Sequence, residues 1–382
     1  MNQRTAIFGL DQDEIRKYSN GEWDFHKEDT QEHLHALHPY PARFIPQIPR
    51  KAIELWTSEG DLVLDPFCGC GTTLLESILL GRPAIGVDNN GVACLVSKAK
   101  TAHYSSQDLK VLNRFRITLE DSIDNPKLQI SLPEYENVDY WFSQEAMLDM
   151  GKLKAVIQDL PNRAKLFADA VFSSVIVRAS NQDSDTRYAR IEREYKPRSA
   201  INWFITKLSS SLGRLQEIID LPKSKAKVFC QDGRNLGNVP AETVKLIITS
   251  PPYINAYDYH KYHRHRLHWI DADVSFARDH EIGKHDTFTR PNATPHRYFE
   301  DMLKCFEQWH RVLCRKGHVF IVTGDGIVSG EPVTVGDEFI SLCEKVGFTF
   351  RKRWIRKLKA KSKSFNQKAR INEEHLLLFV KK

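Results

Sequence analysis

Asp61-Leu62-Val63-Leu64-Asp65-Pro66-Phe67-Cys68-Gly69-Cys70-Gly71-Thr72-Thr73 is the stretch on which the fold is read. Its apolar run is too short for a helix and ends at Asp-Pro, the pattern of a buried parallel strand entering a loop. From Thr72 to Leu80 apolar residues then recur at helical spacing, up to Gly81. Gly69 and Gly71 lack a Cβ, so the backbone can turn tightly against a ligand while the amides that open the helix point at it. A second short strand, Pro83-Ala84-Ile85-Gly86-Val87, ends in Asp88-Asn89-Asn90. In nucleoside-binding α/β sheets an acid at that place accepts hydrogen bonds from ribose hydroxyls, which makes Asp88 the ribose candidate. The loop lacks the G-x-G-x-x-G spacing of dinucleotide enzymes, and Asp65-Pro66-Phe67 leaves little room for a pyrophosphate.

Far along the chain, Val244-Lys245-Leu246-Ile247-Ile248 reads as another strand and leaves through Thr249-Ser250-Pro251-Pro252-Tyr253. The two prolines fix φ and remove two N–H donors, leaving a rigid ridge of carbonyl acceptors beside the Ser250 hydroxyl and the Tyr253 ring. An exocyclic amino group brings two N–H donors, and its base needs a face to stack on. This turn offers both, and it suits a nucleobase rotated out of its helix.

With these two segments in hand, the chain resembles the S-adenosyl-L-methionine-dependent amino-methyltransferases of DNA, which methylate cytosine N4 or adenine N6. Asp65-Pro66-Phe67-Cys68-Gly69-Cys70-Gly71-Thr72-Thr73 is similar to the family's cofactor loop, and Ser250-Pro251-Pro252-Tyr253 to its catalytic motif. His38-Pro39-Tyr40-Pro41-Ala42-Arg43-Phe44-Ile45-Pro46 resembles the segment that closes over the methionine end of the cofactor. Lys227-Val228-Phe229-Cys230-Gln231-Asp232-Gly233 resembles the strand whose terminal acid accepts from the cofactor's adenine amino group. The resemblance implies cofactor-binding roles for Tyr40, Arg43, Phe44, Asp65, Pro66, Phe67, Gly69, Gly71, Thr72, Thr73, Asp88, Asn89, Asp232 and Gly233. It implies catalytic roles for Ser250, Pro251, Pro252 and Tyr253. A Ser at the first catalytic position goes with cytosine N4 more often than adenine N6, so cytosine N4 is favoured and adenine N6 stays open. Also open are an RNA amino-group methyltransferase and a silent nucleic-acid-binding protein of the same fold. Double-stranded DNA is the expected partner, with a cognate restriction endonuclease as a possible companion.

The resemblance covers residues 33–100 and 226–382, so the expected fold is a doubly wound, mostly parallel α/β sheet of the Rossmann-like class I methyltransferase type. Residues 1–32 are expected to form an N-terminal arm, and 101–225 a helical insertion that is the candidate target-recognition region. Helical spacing within the insertion covers Met147–Leu160, Ala164–Val177 and Ile201–Ile219. The polar run Arg178–Arg190 between the last two reads as a functional or mobile loop, with Arg187 and Arg190 as candidate DNA contacts.

Directly after the catalytic turn, residues 257–269 crowd four histidines, three other basic residues and four aromatics into thirteen positions. Basic residues interleaved with aromatics suit a nucleic-acid backbone, and His260, Lys261, Arg264 and Arg266 are the candidates. No metal is expected there, because His260, His263 and His268 lack the carboxylate or thiolate of a metalloenzyme signature. Nearer the C-terminus, Gly317–Asp325, Phe348–Phe350 and Glu374–Val380 read as strands, with an antiparallel hairpin at the end. Ten Lys or Arg and no acid lie between Arg351 and Arg370, with Arg353 and Lys357 as phosphate candidates.

Composition narrows the remaining classes. The 382 residues are enough for one large α/β core with an insert, and a net charge of +6 is too mild to name nucleic acid by itself. No apolar run approaches the roughly 20 residues of a membrane helix, and a cytosolic location is expected. Seven scattered cysteines form no zinc pattern. Methylation at cytosine C5 would require a nucleophilic cysteine, and no Pro-Cys dipeptide occurs.

Overall fold

The computed structural model describes residues 23–25, 28–221, 223–289, 292–358 and 373–382. A seven-stranded sheet is built from β1 (Val63–Asp65), β2 (Ala84–Asp88), β3 (Ala226–Cys230), β4 (Val244–Thr249), β5 (Leu313–Thr323), β6 (Phe348–Lys357) and β7 (Glu373–Lys381), in the spatial order β6-β7-β5-β4-β1-β2-β3. The first five strands run parallel, and β7 lies antiparallel between β5 and β6. This is the expected doubly wound sheet with a terminal antiparallel hairpin.

Both faces of the sheet are covered, which explains the near-continuous apolar strands. Leu64, Ile247, Val319 and Leu377 pack on one face with α8 (His296–Val312) and α9 (Val335–Val346). Their neighbours Val63, Leu246, Phe320 and Leu376 pack on the other, with Trp23 and α1 (Gln47–Trp56). The chain leaves β1 toward β2 on one side, and β4 joins β1 on the other in register Val63↔Leu246 and Leu64↔Ile247. The carboxyl ends of β1 and β4 therefore emerge together at the topological switch point, where open α/β sheets bind ligands.

Between β2 and β3 the chain forms α3 (Gly91–Thr101), α4 (Ser106–Ile123), α5 (Gln144–Gln158), α6 (Asn162–Ala179) and α7 (Ser199–Ile218). Three of the insertion helices follow the apolar spacing closely. The spacing did not single out α4, whose Ser105–Asp108 capping box is a local start signal. The insertion is not a detached lobe. Its Phe167, Val171, Phe204 and Leu208 share one core with Leu74 and Ile78 of α2 (Thr72–Leu79) and Ala99 of α3. The polar run expected as a loop contains a small antiparallel hairpin, Gln182–Ser184 against Arg187–Arg190. Arg193 fastens it by donating to the Gln182 and Asp183 carbonyls at 2.8 and 2.7 Å. The basic strand β6 also extends to Lys357, well past the Phe348–Phe350 segment legible as a strand.

Candidate active site

The loop after β1 owes its shape to the two glycines. Gly69 has φ +48°, and a Cβ there would sit 3.3 Å from the Tyr40 ring. Gly71 has φ +75°, and a Cβ would lie 2.7 Å from Ser97 Oγ, so no larger residue fits. Asp88, at the end of β2, accepts from the Gly69 amide through Oδ2 and from the Asn90 amide through Oδ1, both at 2.9 Å. Each oxygen keeps acceptor capacity for a ligand hydroxyl. Burial raises the Asp88 carboxyl to about 6.

Asp65 joins the two motifs directly. Its Oδ1 accepts from Thr249 Oγ1 at 2.6 Å, tying the exit of β1 to the exit of β4 across 184 residues of sequence. It also accepts from the Phe67 amide at 3.2 Å, and burial raises its carboxyl to about 6.

One cavity of about 840 Å³, partly open to solvent, is lined by both turns. Asp65, Phe67, Gly69, Thr72, Asp88 and Asn89 form one wall, Tyr40, Arg43 and Phe44 another, and Ser250 and Pro252 a third, with Gly233 at its edge. The remaining motif residues lie outside its lining. Pro66, Gly71, Thr73, Pro251 and Tyr253 do not line the cavity, and Thr73 and Pro251 are buried. Tyr253 donates from its phenol to Glu374 Oε1 at 3.0 Å, and the Pro252 carbonyl accepts from Tyr298 Oη at 2.9 Å. The Arg43 guanidinium is spent on the His35 and Thr30 carbonyls, so it anchors the 38–46 strap as well as facing the cavity. The same strap is held from below by buried Glu76, which binds His35 Nε2 and Arg50 Nε, each at 2.7 Å.

Asp232 corrects one expectation. Its carboxylate is held by Arg234 at 2.8 Å and does not line the cavity; Gly233 does, where a Cβ would lie 2.9 Å from the Phe67 ring. Conversely, Tyr259, His280, Glu281 and Ile282 form a wall that sequence reasoning missed. Glu281 accepts from the Tyr259 amide at 2.7 Å, the His260 amide at 2.9 Å and His260 Nδ1 at 2.6 Å. A single Glu in an ordinary helix-and-turn segment carries no signal that would have found it.

The basic stretch 257–269 differs most from its sequence reading. Arg266 is fully buried: it donates to the Ser173 carbonyl at 2.9 Å, approaches His263 Nδ1 at 3.3 Å and pairs with Asp185. His260 is buried against Glu281, and Lys261 is paired with Asp258 at 2.9 Å. His265 is buried among Trp141, Tyr188 and Tyr135, whose phenol lies 2.8 Å from its Nδ1. The segment is thus the seam between catalytic sheet and insertion, and Arg266 and His260 are structural rather than nucleic-acid contacts. Asp258, His260 and Glu281 come close enough to hold a cation, but their mutual bonds and Lys261 already satisfy them.

Of the other basic candidates, Arg187 faces Asp183 at 3.5 Å, and Arg353 pairs with Asp337. Exposed Arg190 stacks on the Tyr140 ring at 4.6 Å; Arg264 is half-buried and Lys357 exposed. Lys359, Lys361, Lys363, Lys368 and Arg370 of the basic run, and residues 1–22 of the arm, lie outside the described residues. Among the described residues no helix is long and apolar enough to cross a membrane.

The glycine loop and the Ser-Pro-Pro turn thus share one cleft at the switch point of a doubly wound α/β sheet. The DNA methylase family model matches residues 9–99 and 244–382, more than half of the chain, and the chain belongs to that N6/N4 methylase family. Membership makes S-adenosyl-L-methionine its cofactor. Similar proteins include the Type II methyltransferase M.MvaI of Kocuria varians, 26% identical over 273 residues, 64% of this chain and 59% of that protein. Another is the Type II methyltransferase M.MjaII of Methanocaldococcus jannaschii, 38% identical over 78 residues, 20% of this chain and 15% of that one. The chain therefore spans less than two thirds of the length of these relatives. A solved SAM-dependent methyltransferase from Methanosarcina mazei aligns over 90% of this chain and 98% of its own at 10% identity and TM-score 0.34.

The cavity fits the cofactor by the chemistry of its donors and acceptors. Asp88 offers carboxylate oxygens to ribose hydroxyls, and Gly69 and Gly233 on the lining leave room that a Cβ would reduce. The aromatic faces of Tyr40, Phe44 and Phe67 supply apolar walls.

Proposed function

We propose that the protein is a DNA methyltransferase acting on an exocyclic amino group, with cytosine N4 as the favoured target. The observation that carries this reading is the shared cavity: Gly69 and Asp88 on one wall and Ser250 and Pro252 on another. The cofactor supplies an electrophilic methyl group, and no nucleophilic side chain is needed. Asp88 holds the ribose, and Gly233 and Phe67 border the adenine end. Tyr40, Arg43 and Phe44 close over the methionine end.

Ser250 and a proline carbonyl would accept from the target amino group, drawing its lone pair out of conjugation and toward the methyl. The N–C bond would form as the methyl–sulfur bond breaks, S-adenosyl-L-homocysteine would leave, and the surplus amino proton would pass to water. Pro252 lines the cavity, and its carbonyl, which accepts from Tyr298 Oη, keeps a second lone pair for this role. Tyr253 presents its ring to the extruded base. Holding nitrogen and methyl in line contributes up to roughly 7–11 kcal/mol where alignment is ideal. Ser250 favours cytosine because, in the family the chain resembles, a Ser at the first position of this turn goes with N4 more often than with N6. Exposed Arg190 and Lys357, with half-buried Arg264, serve the DNA backbone, and a companion restriction endonuclease belongs with the same reading.

Expression in a methylation-free bacterial host, followed by nucleoside analysis of its DNA, tests this. N4-methylcytosine in a fixed sequence context is the expected product. N6-methyladenine would move the target to adenine, and methylated RNA with unmodified DNA would overturn the substrate class. Ser250→Ala should lower turnover by about 100-fold, in line with loss of one preorganised transition-state partner, while cofactor affinity stays within about twofold.

A further inference from the structure

Three side chains outside the motifs converge on the catalytic turn. Tyr253 Oη donates to Glu374 Oε1 at 3.0 Å, and Arg356 Nη1 donates to Glu374 Oε2 at 2.6 Å. Glu374 lies on β7 and Arg356 faces it on β6, in the register pair Arg356↔Glu374. Both side chains of this ion pair are only 13% exposed. From the other side Tyr298, on α8 and 1% exposed, donates to the Pro252 carbonyl at 2.9 Å.

A buried phenol needs one hydrogen-bond partner, and a carboxylate buried in the hairpin for stability alone would need only its arginine. Here one oxygen of Glu374 is committed to each. The desolvated pair is costly to assemble, and charge-assisted bonds of this kind fix geometry more than they add stability. Burial, with Glu374 close by, pushes the Tyr253 phenol well up, so it stays a neutral donor at any working pH.

Resting on the methyl-transfer reading above, we propose that Glu374 is a positioning residue. Clamped by Arg356, it sets the rotation of the Tyr253 ring against the extruded base, while Tyr298 fixes the Pro252 carbonyl that faces the amino group. None of the three touches the reacting atoms. They define the angle at which base and methyl meet, and the terminal hairpin thereby becomes part of the catalytic apparatus.

The test uses the full chain with S-adenosyl-L-methionine and unmethylated bacterial DNA, in single turnover. Glu374→Ala should lower the transfer rate about tenfold or more, and Glu374→Gln, which keeps an acceptor, should recover part of it. Cofactor affinity and the DNA concentration for half-maximal rate should stay within about threefold in both. Adding Tyr253→Phe to Glu374→Ala should cost little more than the worse single change, because both remove one linkage. Fluorine NMR of 3-fluorotyrosine-labelled protein gives a readout independent of turnover. The resonance lost in Tyr253→Phe should shift in Glu374→Gln and in Arg356→Gln.

An unmoved resonance, or rates equal to wild type in soundly folded Glu374 variants, would overturn the relay while leaving the methyltransferase reading standing. A wild-type chain that binds the cofactor yet methylates neither DNA nor RNA would overturn the methyltransferase reading, and the relay's catalytic purpose with it.

Discussion

The glycine loop at 65–73 and the basic stretch at 257–269 are both dense in unusual residues, yet one is read correctly from sequence and the other is not. In the loop, each residue answers a local backbone demand. Gly69 and Gly71 take positive φ, and Asp65 caps the turn it belongs to. In the basic stretch, the deciding partners are remote. Arg266 finds Ser173 and Asp185, His265 finds Tyr135, and Gln182 reaches the Tyr262 carbonyl at 3.3 Å. Local composition reports backbone constraints well. It does not report which cations are neutralised by a distant part of the chain.

The largest expected effect breaks or sharpens that contrast at Arg266. Removing a buried, paired cation strands Asp185 and two acceptors, so Arg266→Ala should cost about 3–5 kcal/mol in denaturant unfolding. A variant that keeps its stability and loses DNA affinity would restore the nucleic-acid reading of this segment. Gly71→Ala probes the other side of the comparison. Strain at positive φ and the clash with Ser97 should together cost about 2–4 kcal/mol and abolish measurable cofactor binding by calorimetry. An alanine that melts and binds like wild type would mean the loop is not shaped by its glycines.

A third test uses pH. Burial raises Asp65 and Asp88 to about 6. With both values raised above those of the unfolded chain, their contribution to stability of the cofactor-free protein is complete below about pH 4 and is lost as pH rises through 6. Ribose hydroxyls donate to ionised Asp88, so cofactor affinity should run the opposite way, weakening by up to about tenfold per unit below pH 6. Melting curves and calorimetry from pH 4.5 to 8 check both signs; affinity that is flat across pH 6 would remove Asp88 from the ribose. The smallest effect belongs to exposed Lys357. Its change to Ala should leave stability unchanged and reduce the slope of log DNA affinity against log salt by about 1. An unchanged slope would take Lys357 off the backbone path.

How far the sequence carries is clear from particular residues. The strands ending at Asp65, Asp88 and Thr249 were legible because apolar runs close on breakers, and their convergence followed from parallel topology. The three insertion helices were legible by period. The hairpin at 182–190 was not, since its strands are short, polar and held by Arg193 rather than by an apolar face. The family resemblance of residues 227–233 implies a cofactor role for Asp232, but Arg234, two residues on, holds its carboxylate. Glu281 reaches the cavity only through tertiary folding and nothing in its neighbourhood marks it, while Tyr259 stands in a stretch read for its cations rather than for this ring.

The central claim is that the two strand-exit turns present one ligand to another across a single cleft. A crystal structure of the chain with S-adenosyl-L-homocysteine tests it most directly. The account predicts ribose hydroxyls on Asp88 and the sulfur facing Ser250 and the Pro251–Pro252 ridge. A cofactor bound with its sulfur turned away from Ser250, or outside the cavity that Gly69 and Ser250 share, would contradict it.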